Sequence, residues 1–403
     1  MRDPSRVRVS GPLEEYASGF AAELARVGYM RDAAACQLRL MAHLSGWLAR
    51  EGLDAADLTT VVVEEFLAAR RAAGHTTLRS PRALEPLLGY LRELGVVLPA
   101  PVVVMATPAD ELLERYRRFL LGERGLAVGT VRGYVDIVGP FLAGRVAADG
   151  SGLERLAARD VTAFVLAECP GRATGSTKLL VTALRSLLGF LHVEGVLAES
   201  LSGAVPSVAG WRLAGLPRGL EAGQVRRLLA SCDRRTAVGR RDFAILTLLV
   251  RLGLRRGEVA RLELRDLDWR AGEIVIRGKG SRQERLPLPA DVGEAVAGYL
   301  RRGRPASAEG RCLFIRVKAP HRPLTPGGVT NVVVAAGRRA GLGQIAAHRL
   351  RHTAATEMLR AGATLPEVGQ VLRHRSLLTT AIYAKVDREA LRSLARPWPG
   401  GAA

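Results

Sequence analysis

Cysteine is scarce and unpaired: Cys36, Cys169, Cys232 and Cys312 are scattered along the chain with no CxxC spacing. That excludes a disulfide scaffold and a cysteine-rich zinc site. Long apolar runs are missing too. The longest, Val96 to Ala106, is broken by Pro99 and Pro101 and is far too short to cross a bilayer. The first residues, Met-Arg-Asp-Pro-Ser-Arg, lack the apolar stretch of a secretory signal, so a cytoplasmic protein with no membrane contact is expected. Lysine is almost absent. Of 59 basic residues only Lys178, Lys279, Lys318 and Lys385 are Lys, and the other 55 are Arg. With abundant Ala, Gly and Val, this bias points to GC-rich coding, in which a single surface Arg carries little information and each Lys stands out.

What is present is a folded composition, 48% hydrophobic and 24% charged over 403 residues, long enough for several domains. The formal net charge is +20, and it is unevenly placed. Residues 1–215 carry 24 basic and 23 acidic side chains, whereas residues 216–403 carry 35 basic and 16 acidic. Codon bias spreads Arg evenly and does not strip acids from one half. The C-terminal half therefore faces a polyanion.

The neutral half repeats itself at an offset of about one hundred residues. Leu87-Leu88-Gly89-Tyr90-Leu91 followed by Gly95-Val96-Val97 matches Leu187-Leu188-Gly189-Phe190-Leu191 followed by Gly195-Val196-Leu197. Asp57-Leu58-Thr59 matches Asp160-Val161-Thr162, and Trp47-Leu48 matches Phe141-Leu142. Apolar residues fall at helical spacing in both copies, Leu38, Met41, Leu44 and Leu48 in one, Val131, Tyr134, Val138 and Phe141 in the other. Two small all-helical bundles are expected, residues 1–106 and 107–213, joined by the Pro/Val-rich segment Val96–Pro108.

The basic half, residues 216–396, reads as a mixed domain. An apolar helix over Asp242–Arg251 ends at Gly253 and is followed by Leu254-Arg255-Arg256-Gly257-Glu258. Strand-like runs at Glu273–Arg277 and Glu284–Leu288 flank Gly278-Lys279-Gly280-Ser281, a hairpin with lysine at its tip, and Cys312–Ile315 is a candidate third strand. Helices follow at Gly327–Ala340, His348–Ala361, Leu365–Leu372, Leu377–Tyr383 and Arg388–Leu394. The fold class is mainly α with a small antiparallel β-sheet in the C-terminal domain.

LGLRRGEVARLELRDLDW, IVIRGKGSRQERLPLP, HRLRHTAATEMLRAG and VLRHRSLLTTAIYAKV resemble, in order and spacing, the signature blocks of the tyrosine recombinase (phage integrase) family. The second helical repeat resembles the SAM-like core-binding domain that the family places before its catalytic domain. The resemblance implies a site-specific recombinase of the integrase or transposase type, of the kind that mobile elements carry. Its catalytic set would be Arg255, Lys279, His348, Arg351, His374 and Tyr383. It further implies double-stranded DNA sites as partner, a homo-tetramer on DNA or a hetero-oligomer with related recombinases, and no cofactor or metal.

The chemistry suits these residue types. Rejoining DNA without loss of bond energy requires a covalent protein–phosphate intermediate, so Tyr383 would attack the phosphate and hold a 3′-phosphotyrosyl link. Arg255 and Arg351 would clamp the charged transition state, His374 would add a hydrogen bond, and Lys279 would protonate the leaving 5′-oxygen. His348 would accept or orient the tyrosine proton, sharing a helix face with Arg351 at i, i+3. Glu258 would orient Arg255 or His348, and His352 reads as a packed histidine beside the site. Lys178, Arg185, Arg256, Arg282 and Arg373 are the candidate DNA contacts; Arg373 stands where the family usually has glycine. Each residue alone has a plainer reading, Tyr383 as a core aromatic and Lys279 as a solvated turn residue, and only the ordered set speaks for the chemistry. Competing functions are a type IB topoisomerase-like relaxing enzyme and a non-catalytic DNA-binding regulator. The tail Asp387–Pro399, with Leu391 and Leu394 at i, i+3, would dock on a neighbouring protomer.

Overall fold

The computed structural model describes residues 4–97, 107–209, 219–278, 283–308, 310–374, 380, 382 and 383. Two compact units emerge, one from residues 1–100 with 215–403 and one from residues 101–214. Lys279 and Arg282, residues 98–106 of the segment expected to join the two bundles, residues 210–218, most of the helix expected at Leu377–Tyr383 and the whole tail lie outside the described residues.

In the first unit, residues 4–97 form α1 (Ala17–Arg26), α2 (Arg31–Glu51), α3 (Thr60–Ala72) and α4 (Pro81–Glu93) around their own core of Phe20, Leu38, Met41, Leu44, Phe66 and Leu87. The second unit is α5 (Pro108–Gly122), α6 (Val128–Ala143), α7 (Ala158–Glu168) and α8 (Thr174–Val193). Thr107 and Asp110 exchange hydrogen bonds that close the start of α5, with Pro108 already set in helical φ. The repeat has a structural counterpart. Leu84, Leu87, Leu88 and Leu91 are buried along α4, and Leu184, Leu187, Leu188 and Leu191 along α8. Both helices end on a left-handed glycine, Gly95 at φ +74° and Gly195 at φ +73°. After it, the amides of Val96 and Val196 return to the carbonyls of Leu91 and Leu191.

The C-terminal part of the first unit contains α9 (Ala222–Ala230), α10 (Ala237–Arg251), α11 (Arg256–Arg261), α12 (Ala290–Arg302), α13 (Pro326–Arg339), α14 (Ala347–Arg360) and α15 (Leu365–Val371). Every residue from Ala244 to Val250 is buried, because α10 runs through the centre against α12, α13 and α14. Strands β1 (Leu267–Asp268), β2 (Glu273–Arg277) and β3 (Gln283–Pro287) pair antiparallel in that order, with Ile274 and Ile276 turned into the core. Cys312–Ile315, expected as a strand of this sheet, makes only isolated bridges, Glu263 with Cys312 and Ile315 with Pro323. The third strand is β1 instead, two residues that show no alternation. No helix among the described residues is long and apolar enough to span a membrane.

Candidate active site

The site grows from one turn and the ends of three helices. After α10 the chain reverses at Gly253, whose φ of +57° favours glycine. A Cβ there would stand 2.5 Å from Leu372 and 3.2 Å from the Ala354 methyl, so glycine lets the turn press against α14. The Gly253 carbonyl accepts a 2.5 Å hydrogen bond from Arg351 Nη1, and the Leu372 carbonyl accepts one from Arg351 Nη2. Arg351 is 2% exposed, so these anchors hold its guanidinium plane in a fixed direction. Burial, then the neighbouring Arg255 and Arg373, push it down to about 10, which leaves it cationic at neutral pH.

Arg255 precedes α11 and is governed by Glu258. The buried Glu258 carboxylate accepts from the Arg255 backbone N–H at 2.8 Å, from Arg255 Nη1 at 2.7 Å and from Arg373 Nη2 at 2.8 Å. Arg255 Nη2 donates to the Arg373 carbonyl at 3.2 Å. Burial raises the Glu258 carboxyl, but Arg373 and the side chain and amide of Arg255 outweigh it and hold the group below its usual range. Glu258 therefore stays ionised and braces the exposed Arg255 guanidinium; among the described residues its side-chain partners are Arg255 and Arg373 rather than His348.

Arg373, expected among the DNA contacts, is 9% exposed and turned inward onto Glu258. It sits at φ +58° just after α15, a conformation that costs a non-glycine residue about 1 kcal/mol. The ion pair and a 2.8 Å bond from Nη1 to the Val371 carbonyl hold it there. The charge that the sequence places beside the phosphate site serves Glu258. Among the other candidate DNA contacts, Arg256 is exposed and donates to Thr330 Oγ1, and Arg185 is exposed and donates to the Val205 carbonyl. Lys178 is half-buried on α8. Lys279 and Arg282 lie outside the described residues; the last described pair of β2 with β3 is Arg277 with Gln283.

The three imidazoles divide differently from the sequence-based expectation. The sequence pairs His348 with the tyrosine and reads His352 as packing. In the structure His352 Nδ1 meets Tyr383 Oη at 2.8 Å, and His348 packs edge-on against His352 with ring centroids 4.4 Å apart. The signal was available. His348, Arg351 and His352 stand at i, i+3 and i+4 of α14, so all three share one face. Tyr383 is 2% exposed, and burial raises its hydroxyl to about 12 against a lowering influence of Arg351. His374 Nδ1 lies 2.7 Å from Thr380 Oγ1, with its ring parallel to that of Tyr383. Burial first, then nearby positive groups, bring His352 and His374 down to about 4, and both are neutral at physiological pH. Among the described residues no group of three His, Cys, Asp or Glu could hold a metal.

These histidines make stability depend on pH. Unfolded, His352 and His374 titrate near 6.5; folded, they resist protonation until about 4. Between those values the unfolded chain binds more protons, so stability falls as pH falls through that window and is insensitive to these groups above it. The melting temperature should drop from pH 6.5 to pH 4, and the drop should be shallower in a His352→Gln/His374→Gln double variant. Parallel pH curves for the two proteins would contradict the assignment.

Residues 218–390 match the Phage integrase family. The chain is 41% identical over 97% of its length, and 96% of the relative's, to a Sinorhizobium fredii (strain NBRC 101917 / NGR234) protein named integrase/recombinase y4rA. It is 30% identical to the tyrosine recombinase XerD of Listeria monocytogenes over 71% of this chain and 97% of that one. Among solved structures, XerH recombinase bound to palindromic difH substrate in a post-cleavage complex matches with TM-score 0.59 and 20% identity, covering 75% of this chain and 100% of that one. A lambda integrase tetramer bound to a Holliday junction matches with TM-score 0.54 and 16% identity, covering 80% and 90%.

Proposed function

The chain belongs to the phage integrase family of tyrosine recombinases, enzymes of site-specific DNA breakage and rejoining, and on that premise we propose how its residues divide the chemistry. The observation that carries the proposal is the 2.8 Å contact between Tyr383 Oη and His352 Nδ1, within electrostatic reach of Arg351.

Tyr383 Oη attacks the scissile phosphorus. The new O–P bond leaves the DNA 3′ end on the enzyme, and the bond to the 5′-oxygen breaks. The proton leaves Oη toward the Nδ1 lone pair of neutral His352. With the tyrosine near 12 and the histidine near 4, transfer before attack is steeply uphill, so proton loss and bond formation go together. His348 supports the His352 ring edge-on. The guanidiniums of Arg351 and Arg255 receive the non-bridging oxygens, where charge builds in the transition state. With the Thr380 hydroxyl donating to Nδ1 of neutral His374, the ring proton sits on Nε2 and is donated to the phosphate. Lys279 supplies the proton to the departing 5′-oxygen, which leaves as a hydroxyl. Rejoining runs the same steps backwards with a 5′-hydroxyl from the other duplex.

Exchange between two duplexes needs four active sites, and a DNA-bound homo-tetramer passing through a Holliday junction satisfies that need. The likeness in fold to a lambda integrase tetramer on such a junction supports it. Two labelled duplexes carrying a site selected from random sequence should, in the presence of chelator, give recombinant duplexes and four-way junctions. Relaxation of supercoils without exchange would assign a topoisomerase-like activity instead.

A further inference from the structure

The N-terminal bundle holds a second cluster of arginine and histidine side chains, remote in chemistry from strand breakage. A cleft of about 430 Å³ opens between α2 and the end of α3, lined by His43, Arg50, Arg70 and His75 above Trp47 and Phe66. Arg70 is 8% exposed, an unusual place for a guanidinium with no carboxylate. Its Nη1 meets His43 Nδ1 at 2.8 Å, and its Nη2 reaches the Thr77 carbonyl only at 3.5 Å. Its Nε is buried with no hydrogen-bond partner. Among the described residues no acid pairs with Arg70, and no Asp or Glu lines the cleft.

The histidines extend the same pattern. Arginine can only donate, so the 2.8 Å contact requires His43 Nδ1 to accept and leaves its proton on Nε2. The His75 ring lies 5.4 Å from that of His43. Burial, then Arg70 and His75, hold His43 below its ordinary value, and burial does the same to Arg70. Among the described residues no negative group adds to these influences. The segment as a whole is not basic: residues 1–105 carry 12 basic and 12 acidic side chains. Positive charge is therefore gathered in one concave place and left without a counter-charge, an arrangement that is costly unless an anion completes it.

We propose that this cleft is an oxyanion site that takes a phosphate group, with Arg70 as its buried anchor, Arg50 at its rim, and His43 and His75 as imidazole donors. A phosphate offers several strong acceptor oxygens to planar donor groups, and its charge suits a site that supplies two guanidiniums. The group has two possible sources of the same chemistry, a phosphodiester of bound DNA or a free phosphorylated small molecule.

The test uses the full chain with histidines labelled for NMR, the ring signals of His43 and His75 being assigned through His43→Gln and His75→Gln. Inorganic phosphate added at constant ionic strength should shift both signals saturably, and chloride should not. Arg70→Gln should weaken the phosphate response by roughly tenfold or more, the scale of one lost charge-assisted contact. Arg50→Gln, exposed and unable to disturb the core, should weaken it less but measurably, which guards against misfolding of the Arg70 variant. If DNA is the source, duplex DNA will displace phosphate from the cleft, and Arg70→Gln will reduce the salt dependence of DNA binding by about one ion. If a free molecule is the source, phosphate still saturates the site and that salt dependence is unchanged. No saturable response to phosphate in the wild-type chain, or a response of wild-type strength in both Arg variants, would overturn the proposal and leave Arg70 as a staple for the Thr77 turn.

Discussion

Tyr383→Phe should bind its DNA site with wild-type affinity and form no covalent adduct. The substitution removes one oxygen from a side chain that is 2% exposed and leaves the ring and its packing in place. The cost to the fold is the hydrogen bond to His352 and a partly buried Nδ1 left without its partner, about 1–3 kcal/mol and a melting temperature lower by several degrees. The cost to chemistry is total, because no other tyrosine is placed to substitute. Tyr299 is buried in the core, where its hydroxyl accepts the Ile315 amide at 3.1 Å. Tyr134 packs against the separate core of the second unit. Adduct formation by Tyr383→Phe at a substantial fraction of the wild-type rate would remove Tyr383 from the nucleophile's role.

Arg351→Lys should lose cleavage by about 10²–10³-fold, the scale of removing one preorganised donor from a developing oxyanion. The wild-type guanidinium rests on the Gly253 and Leu372 carbonyls and still has further N–H groups in the same plane for a phosphate. An ammonium is a point charge with three donors and cannot hold two backbone carbonyls while presenting a planar edge to an oxyanion. DNA affinity should change little, since attraction to the backbone is spread over many basic residues of this half. A gel shift beside a single-turnover cleavage assay separates the two effects. Wild-type cleavage by the lysine variant would show that guanidinium geometry is not what the site uses.

Much of this was legible from residue order alone. Helical periodicity located α10 and α14, and β2 was read with its observed bounds, because each has a long enough apolar pattern to announce its period. The pairing of Leu84–Leu91 with Leu184–Leu191 was visible because both helices spend the same residues on the same buried face. What escaped the sequence were contacts that depend on tertiary placement. Arg373 looked like a charge for DNA because its position beside His374 is local, whereas its partner Glu258 is far away in sequence and is brought close only when α11 meets the end of α15. His352 reads as packing in the sequence for the same reason. Its spacing from His348 showed a shared face, but only folding shows which of the two rings meets Tyr383. The sheet's third strand was missed because two residues carry no alternation, and Cys312–Ile315 imitated a strand through its buried Leu313 and Phe314. Arg70 gave no local signal at all; a guanidinium among alanines at a helix end reads as solvated until the fold buries it.

Strand breakage, as proposed, proceeds through a phosphotyrosyl bond to Tyr383. The most direct test is a nicked suicide duplex that traps the intermediate, followed by proteolysis and mass spectrometry of the peptide joined to DNA. The expected result is a single adduct on the tryptic peptide of residues 376–385, carried by Tyr383, joined to the DNA 3′-phosphate, with a free 5′-hydroxyl on the released strand and full yield in chelator. An adduct on any other residue, or attachment through a 5′-phosphate, would contradict it.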